Sequence, residues 1–129
     1  MNVIRPSGYE HQKLPVAFWY GRSTLHLFML LTMRRIHGGG FYQGGAPDQR
    51  YNLSYMVQNS VKIGKPVIGV STNYRLSAWG FLNSNEMTGS GNTNLGLRDQ
   101  RLALHWVQEN IAAFGGTCIY MRDTFVPSY

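Results

Sequence analysis

The residues of this sequence best suited to chemistry are His37-Gly38-Gly39-Gly40-Phe41. Three consecutive glycines after an apolar, strand-like run leave backbone amides bare, and without Cβ atoms they can take positive φ and let an oxygen approach the main chain. Such amides bind anions, including the negative oxygen that develops when a carbonyl is attacked. A plain glycine-rich turn is the alternative, and the triplet alone does not separate the two.

A loop of this kind needs rigid elements on both sides. Leu14-Pro15-Val16-Ala17-Phe18-Trp19 is a short apolar run of the kind found in parallel sheets covered on both faces. Asn2 to Arg5 reads as the end of an earlier strand stopped at Pro6-Ser7-Gly8, with a polar turn over 9–13. Past the glycines, Leu53, Met56, Val57 and Ser60 share a helical face through about Ile63, with Gly64 at the C′ position and Pro66 beyond it. A second buried strand, rich in β-branched residues, is predicted from Pro66 to Tyr74. Strand, helix and strand make a βαβ unit and hence a parallel sheet. Residues 78–94 read as an irregular loop carrying Trp79, Phe81 and Leu82 as apolar plugs. The longest helix then runs from about Gly96 to Phe114, with Ala103, Val107, Ile111 and Phe114 as its buried stripe.

Composition narrows the function classes. A chain of 129 residues, 43% hydrophobic and 14% charged, has the makings of one globular domain. The net charge of +6 invites a nucleic-acid reading, but Lys and Arg are scattered singly except at Arg34-Arg35, and without Arg22, Arg34 and Arg35 the excess falls to +3. No nucleic-acid partner is expected. A single cysteine, Cys118, excludes an intrachain disulfide, and no Cys/His cluster has metal-ligand spacing, so no metal and no cofactor are expected. The N-terminus lacks the pattern of a secretory leader, and no run reaches the roughly 20 apolar residues that span a bilayer.

Four blocks of sequence resemble the type B carboxylesterase and lipase family of the α/β-hydrolase fold, which includes cholinesterases and fungal secreted lipases. They are Asn2-Val3 with Arg5-Pro6; Leu14 to Trp19 continuing at Ile36-His37-Gly38-Gly39-Gly40-Phe41; Asn73-Tyr74-Arg75-Leu76 with Gly80-Phe81-Leu82; and Gly91-Asn92 through Gly116. The resemblance implies an α/β fold, a mostly parallel sheet with flanking helices, present here in part. It implies hydrolysis of small-molecule or lipid esters, with the amides of Gly39 and Gly40 in the oxyanion hole and His37 structural. Asp99 and Arg101 are either catalytic or a salt-bridged helix face, the commoner fate of such charges.

Three departures qualify the resemblance. A serine hydrolase of this type needs a G-x-S-x-G elbow followed by an acid and a histidine. Ser71 in Gly69-Val70-Ser71-Thr72-Asn73 lacks the second glycine, and the 129 residues contain no such elbow, so the Ser, acid and His of a triad are expected to be missing. Residues 20–35 interrupt the passage from strand to glycine loop, either as a short amphipathic helix or as an insert foreign to the family. Residues 117–129 depart from the family pattern. Codons allow an intron explanation for both segments: GTATGG fits Trp19-Tyr20-Gly21, GTACGT fits Gly116-Thr117-Cys118, and CTAAC fits Leu31-Thr32 ahead of an AG in Arg35. Removing 20–35 would join Trp19 to Ile36. The expectation is an N-terminal hydrolase portion spanning 1–129, inactive by itself, in which the strand at 67–74 loses one neighbour and leaves an open apolar edge that makes the chain prone to self-association. A non-catalytic cholinesterase-like binding or adhesion protein, or a mis-spliced product without function, is the alternative.

Overall fold

The computed structural model describes residues 1–19, 39–47, 49 and 52–117. Residues 20–35, read above as a family-foreign insert or a short helix, His37 and Gly38, and residues 118–129 lie outside the described residues. Four strands, β1 (Asn2–Ile4), β2 (Leu14–Trp19), β3 (Ile68–Ser71) and β4 (Gly116–Thr117), form a sheet in the order β1-β3-β2-β4. β1 is antiparallel to β3, whereas β2 runs parallel to both β3 and β4.

Both faces of the central pair are covered, which is why their residues are apolar almost without interruption. Val16 lies opposite Ile68 and Phe18 opposite Val70, so these side chains share one face with Leu14. Helix α4 (Leu95–Asn110) lays Ala103 and Val107 on that face, joined by Ile111 from the 3₁₀ turn Ile111–Phe114. On the other face Ala17 stands opposite Gly69. Helix α1 (Leu53–Lys62) packs closely there, because a Cβ on Gly69 would fall 3.1 Å from Val57 Cγ2.

The ends of α1 follow from its sequence. Asn52 Oδ1 accepts from Ser54 N at 2.9 Å at the N-cap. At the other end Gly64, at φ +70°, donates to Val61 O and Lys65 donates to Ser60 O, the double closure of a Schellman motif. Ser60 Oγ donates to Val57 O at 2.6 Å and accepts from Val67 N at 3.1 Å, tying the helix to the entry of β3.

Several expectations are corrected. β3 has β1 on one side and β2 on the other, so it is not the strand short of a neighbour. The new strand β4 begins beside β2, pairing Leu14 with Gly116 and Pro15 with Thr117. β3 itself covers only Ile68–Ser71 of the expected 66–74. Residues 78–94 are not irregular throughout: they carry most of α2 (Ser77–Phe81) and all of α3 (Asn85–Gly89), the latter capped by Ser84 Oγ accepting from Met87 N. Trp79 is 83% exposed and Leu82 52%, because a single short helix can turn only one apolar side inward and Phe81 takes it. Phe114 is 42% exposed, its ring lying against Trp106 on the outer side of α4 rather than in the stripe.

Candidate functional site

Gly39, Gly40 and Phe41 take φ values of +132°, +60° and +64° in succession. For L-residues each left-handed position costs roughly 1–2 kcal/mol, and glycine escapes that cost. At Gly39 the requirement is also steric, since an added Cβ would sit 1.7 Å from the carbonyl oxygen of Gln43. That closeness follows from the turn itself, in which Gly39 O accepts from Tyr42 N at 3.0 Å and Gln43 N at 3.2 Å. Among the described residues, the amides of Gly39 and Gly40 donate to no acceptor.

Phe41, the non-glycine in the row, is held by aromatic packing. Its ring lies 4.9 Å from that of Phe81 and 6.5 Å, edge-on, from that of Tyr74. Ser77 N donates to Phe41 O at 2.7 Å, and Asn73 Oδ1 accepts from Ala46 N at 2.7 Å. Both ends of the loop are therefore fastened to the segment that leaves β3. This places the bare amides at the carboxyl ends of the parallel strands, where open α/β sheets bind their ligands.

The floor beneath these rings depends on two more glycines. A Cβ on Gly96 would lie 2.5 Å from Arg75 O and 2.6 Å from Phe81 Cζ, and one on Gly80 would lie 2.1 Å from Arg75 O. Arg75 and Asp99 lock the first turn of α4 to the same segment. Arg75 Nε and Nη2 donate to the two carboxylate oxygens of Asp99 at 2.7 and 2.6 Å, and Arg75 N reaches Oδ2 at 3.0 Å. The guanidinium bonds hold the Asp99 carboxyl below the usual carboxylate range, while burial pushes the Tyr74 phenol up. Asp99 is thus the salt-bridged residue, and Arg101 projects into solvent.

The sequence singled out Gly39 and Gly40 but tied none of Asn73, Ser77, Phe81 or Gly96 to the glycine loop: Phe81 read only as an apolar plug and Gly96 only as a helix start. Asn73, Phe81 and Gly96 stood in family-like strings and Ser77 between two of them, but each acts on the loop through a contact far away in the chain. Among the described residues, no three His, Cys, Asp or Glu side chains cluster as metal ligands, and no helix is long and apolar enough to cross a membrane.

Residues 30–118 match the model of the carboxylesterase family, a span that contains the glycine loop, β3 and α4. Lipase 2 of Diutina rugosa is 44% identical over 117 residues, 90% of this chain and 18% of the relative. Secreted lipase 1 of Botryotinia fuckeliana is also 44% identical over 117 residues, 90% of this chain and 17% of its own length. Among solved structures, a thermophilic PNB esterase superposes with a TM-score of 0.65 at 37% identity, over 88% of this chain and 19% of the esterase. The chain spans less than a fifth of the length of these relatives. The family match over residues 30–118 and the superposition on a solved esterase agree: the chain belongs to the carboxylesterase family of the α/β-hydrolase fold.

Proposed function

We propose that this chain supplies the oxyanion-binding loop of a carboxylic ester hydrolase acting on small-molecule or lipid esters. The supporting observation is the run of left-handed residues 39–41, whose glycine amides have no acceptor among the described residues and which is fastened to the carboxyl ends of parallel strands. In this reading Gly39 N and Gly40 N donate to the carbonyl oxygen of the ester. They hold it more strongly as it becomes an oxyanion, which lowers the barrier rather than merely binding the ground state. The nucleophile that attacks the carbonyl is a serine on an elbow that these 129 residues do not contain. The chain by itself is therefore an N-terminal portion of the hydrolase domain without turnover, and residues 20–35 and 117–129 are departures from the family pattern.

Two measurements test this. The chain alone should neither hydrolyse short p-nitrophenyl esters above background nor react with a fluorophosphonate, and stoichiometric labelling at one serine would overturn the reading. Fused after Gly116 to the remainder of the Diutina rugosa relative, with 20–35 removed, it should gain both properties. Gly39→Ala in that fusion keeps the N–H, but its Cβ would fall 1.7 Å from Gln43 O and force the turn to shift, so kcat should drop by up to roughly 10²–10³-fold, the cost of an oxyanion donor moved out of place; unchanged kcat would remove Gly39 from the site. Sequencing of transcripts across both divergent segments decides whether they are introns.

A further inference from the structure

Asn52-Leu53-Ser54 is the only Asn-X-Ser/Thr triplet in the 129 residues. The triplet is the acceptor sequence for N-linked glycosylation, and carries meaning only where the asparagine is accessible. Asn52 is exposed at the start of α1 and Ser54 is exposed beside it, while Leu53 between them points inward at 4% exposure. We propose that Asn52 is an N-glycosylation site when the chain passes through a secretory pathway. This does not depend on the ester-hydrolase reading.

The cap geometry shows why a glycan is compatible with the fold. Asn52 uses Oδ1 to accept from Ser54 N at 2.9 Å, and its backbone N donates to Gln49 O at 3.2 Å. Among the described residues, Nδ2 has no acceptor, so the nitrogen that would carry the sugar has no role in holding the helix. In the reaction, Nδ2 forms a bond to C1 of the first sugar of a lipid-diphosphate-linked oligosaccharide. The bond from C1 to the diphosphate oxygen breaks, that oxygen keeps the electron pair, and one amide proton leaves to a base of the transferase. Oδ1 remains a carbonyl oxygen throughout, so the cap survives.

The surroundings have room for the first sugar. A shallow cavity of about 580 Å³ opens between the end of β1 and α1, lined among others by Ser7, Asn52, Tyr55, Gln58 and Lys62. Tyr55 is 65% exposed one turn along from Asn52 and offers an aromatic face to a sugar ring, with Gln58 and Lys62 as hydrogen-bond donors beyond it.

The chain should be translated behind a cleavable secretory leader in the presence of microsomes. One upward step in mass, removed by endoglycosidase H, is expected. Ser54→Ala should abolish the step while leaving the cap in place, since the cap uses Ser54 only through its backbone N–H. Asn52→Asp should likewise abolish it while keeping a capping oxygen, and Ser54→Thr should preserve it. Leader-processed, protease-protected wild-type chain with no mass step overturns the proposal, as does a step that persists in Ser54→Ala and Asn52→Asp.

Discussion

Glycine to alanine at two positions should have opposite signs, and the difference tests whether the floor of the loop is as tight as described. Gly96 lies in the first turn of α4, where helix propensity favours alanine by at most about 1 kcal/mol. The new methyl, however, would lie 2.5 Å from Arg75 O and 2.6–2.7 Å from two ring carbons of Phe81, so these groups must move by nearly an ångström. Such overpacking costs roughly 1–3 kcal/mol. Less that propensity gain, the middle of this range leaves a net loss of about 1 kcal/mol, a factor of roughly 5 in the opening equilibrium of α4. Gly89, the last residue of α3, has nothing within 4 Å of an added Cβ and no left-handed φ. Its alanine variant should be neutral or stabilised by up to about 1 kcal/mol. Amide hydrogen exchange across the two helices, read by mass spectrometry at low protein concentration, reports both. Protection of α4 in Gly96→Ala equal to or above that of the parent would refute the argument, and would mean that Phe81 and the Arg75 carbonyl have slack.

The depressed carboxyl of Asp99 makes the tie between Arg75 and α4 sensitive to acid. Because its folded pKa lies below the ordinary value of 3.8, its contribution is present above that value and is lost as pH falls through the folded pKa. Asp99→Asn should therefore be less stable than the parent at neutral pH and converge with it in strong acid; a constant gap between the two acid-unfolding curves would count against the ion pair. Ser60→Ala should lose about 1–3 kcal/mol, since Val67 N would be left part-buried without its acceptor, and an unchanged melting curve would contradict this. Arg5→Met should loosen the 3₁₀ turn that follows α4, because Arg5 donates to the carbonyls of Tyr9, Gln12 and Phe114; faster exchange over residues 111–115 is the expected readout.

Local chemistry carried much of this protein into plain view in its sequence. The apolar run 14–19 is strand β2 residue for residue, because a strand covered on both faces has little freedom to be polar. Gly64 and Pro66 mark the end of α1, since a left-handed C′ residue and a proline beyond it are properties of the chain within a few bonds. The same locality made Gly39 and Gly40 conspicuous. What sequence could not decide was adjacency. Strand order depends on which surfaces pack together across the whole sheet, so β3 turned out to be central, and the neighbour of β4 is β2, about a hundred residues earlier in the chain. Exposure behaved likewise: Trp79 and Phe81, two residues apart and similar in composition, part ways because only the latter meets Phe41, Tyr74 and the bare Cα of Gly96. The turn at residues 39–41 is written in Gly39 and Gly40, but its attachment to the strand ends rests on Asn73, Ser77 and Phe81, whose partners lie 27 to 40 residues away and come within reach only when the sheet has formed.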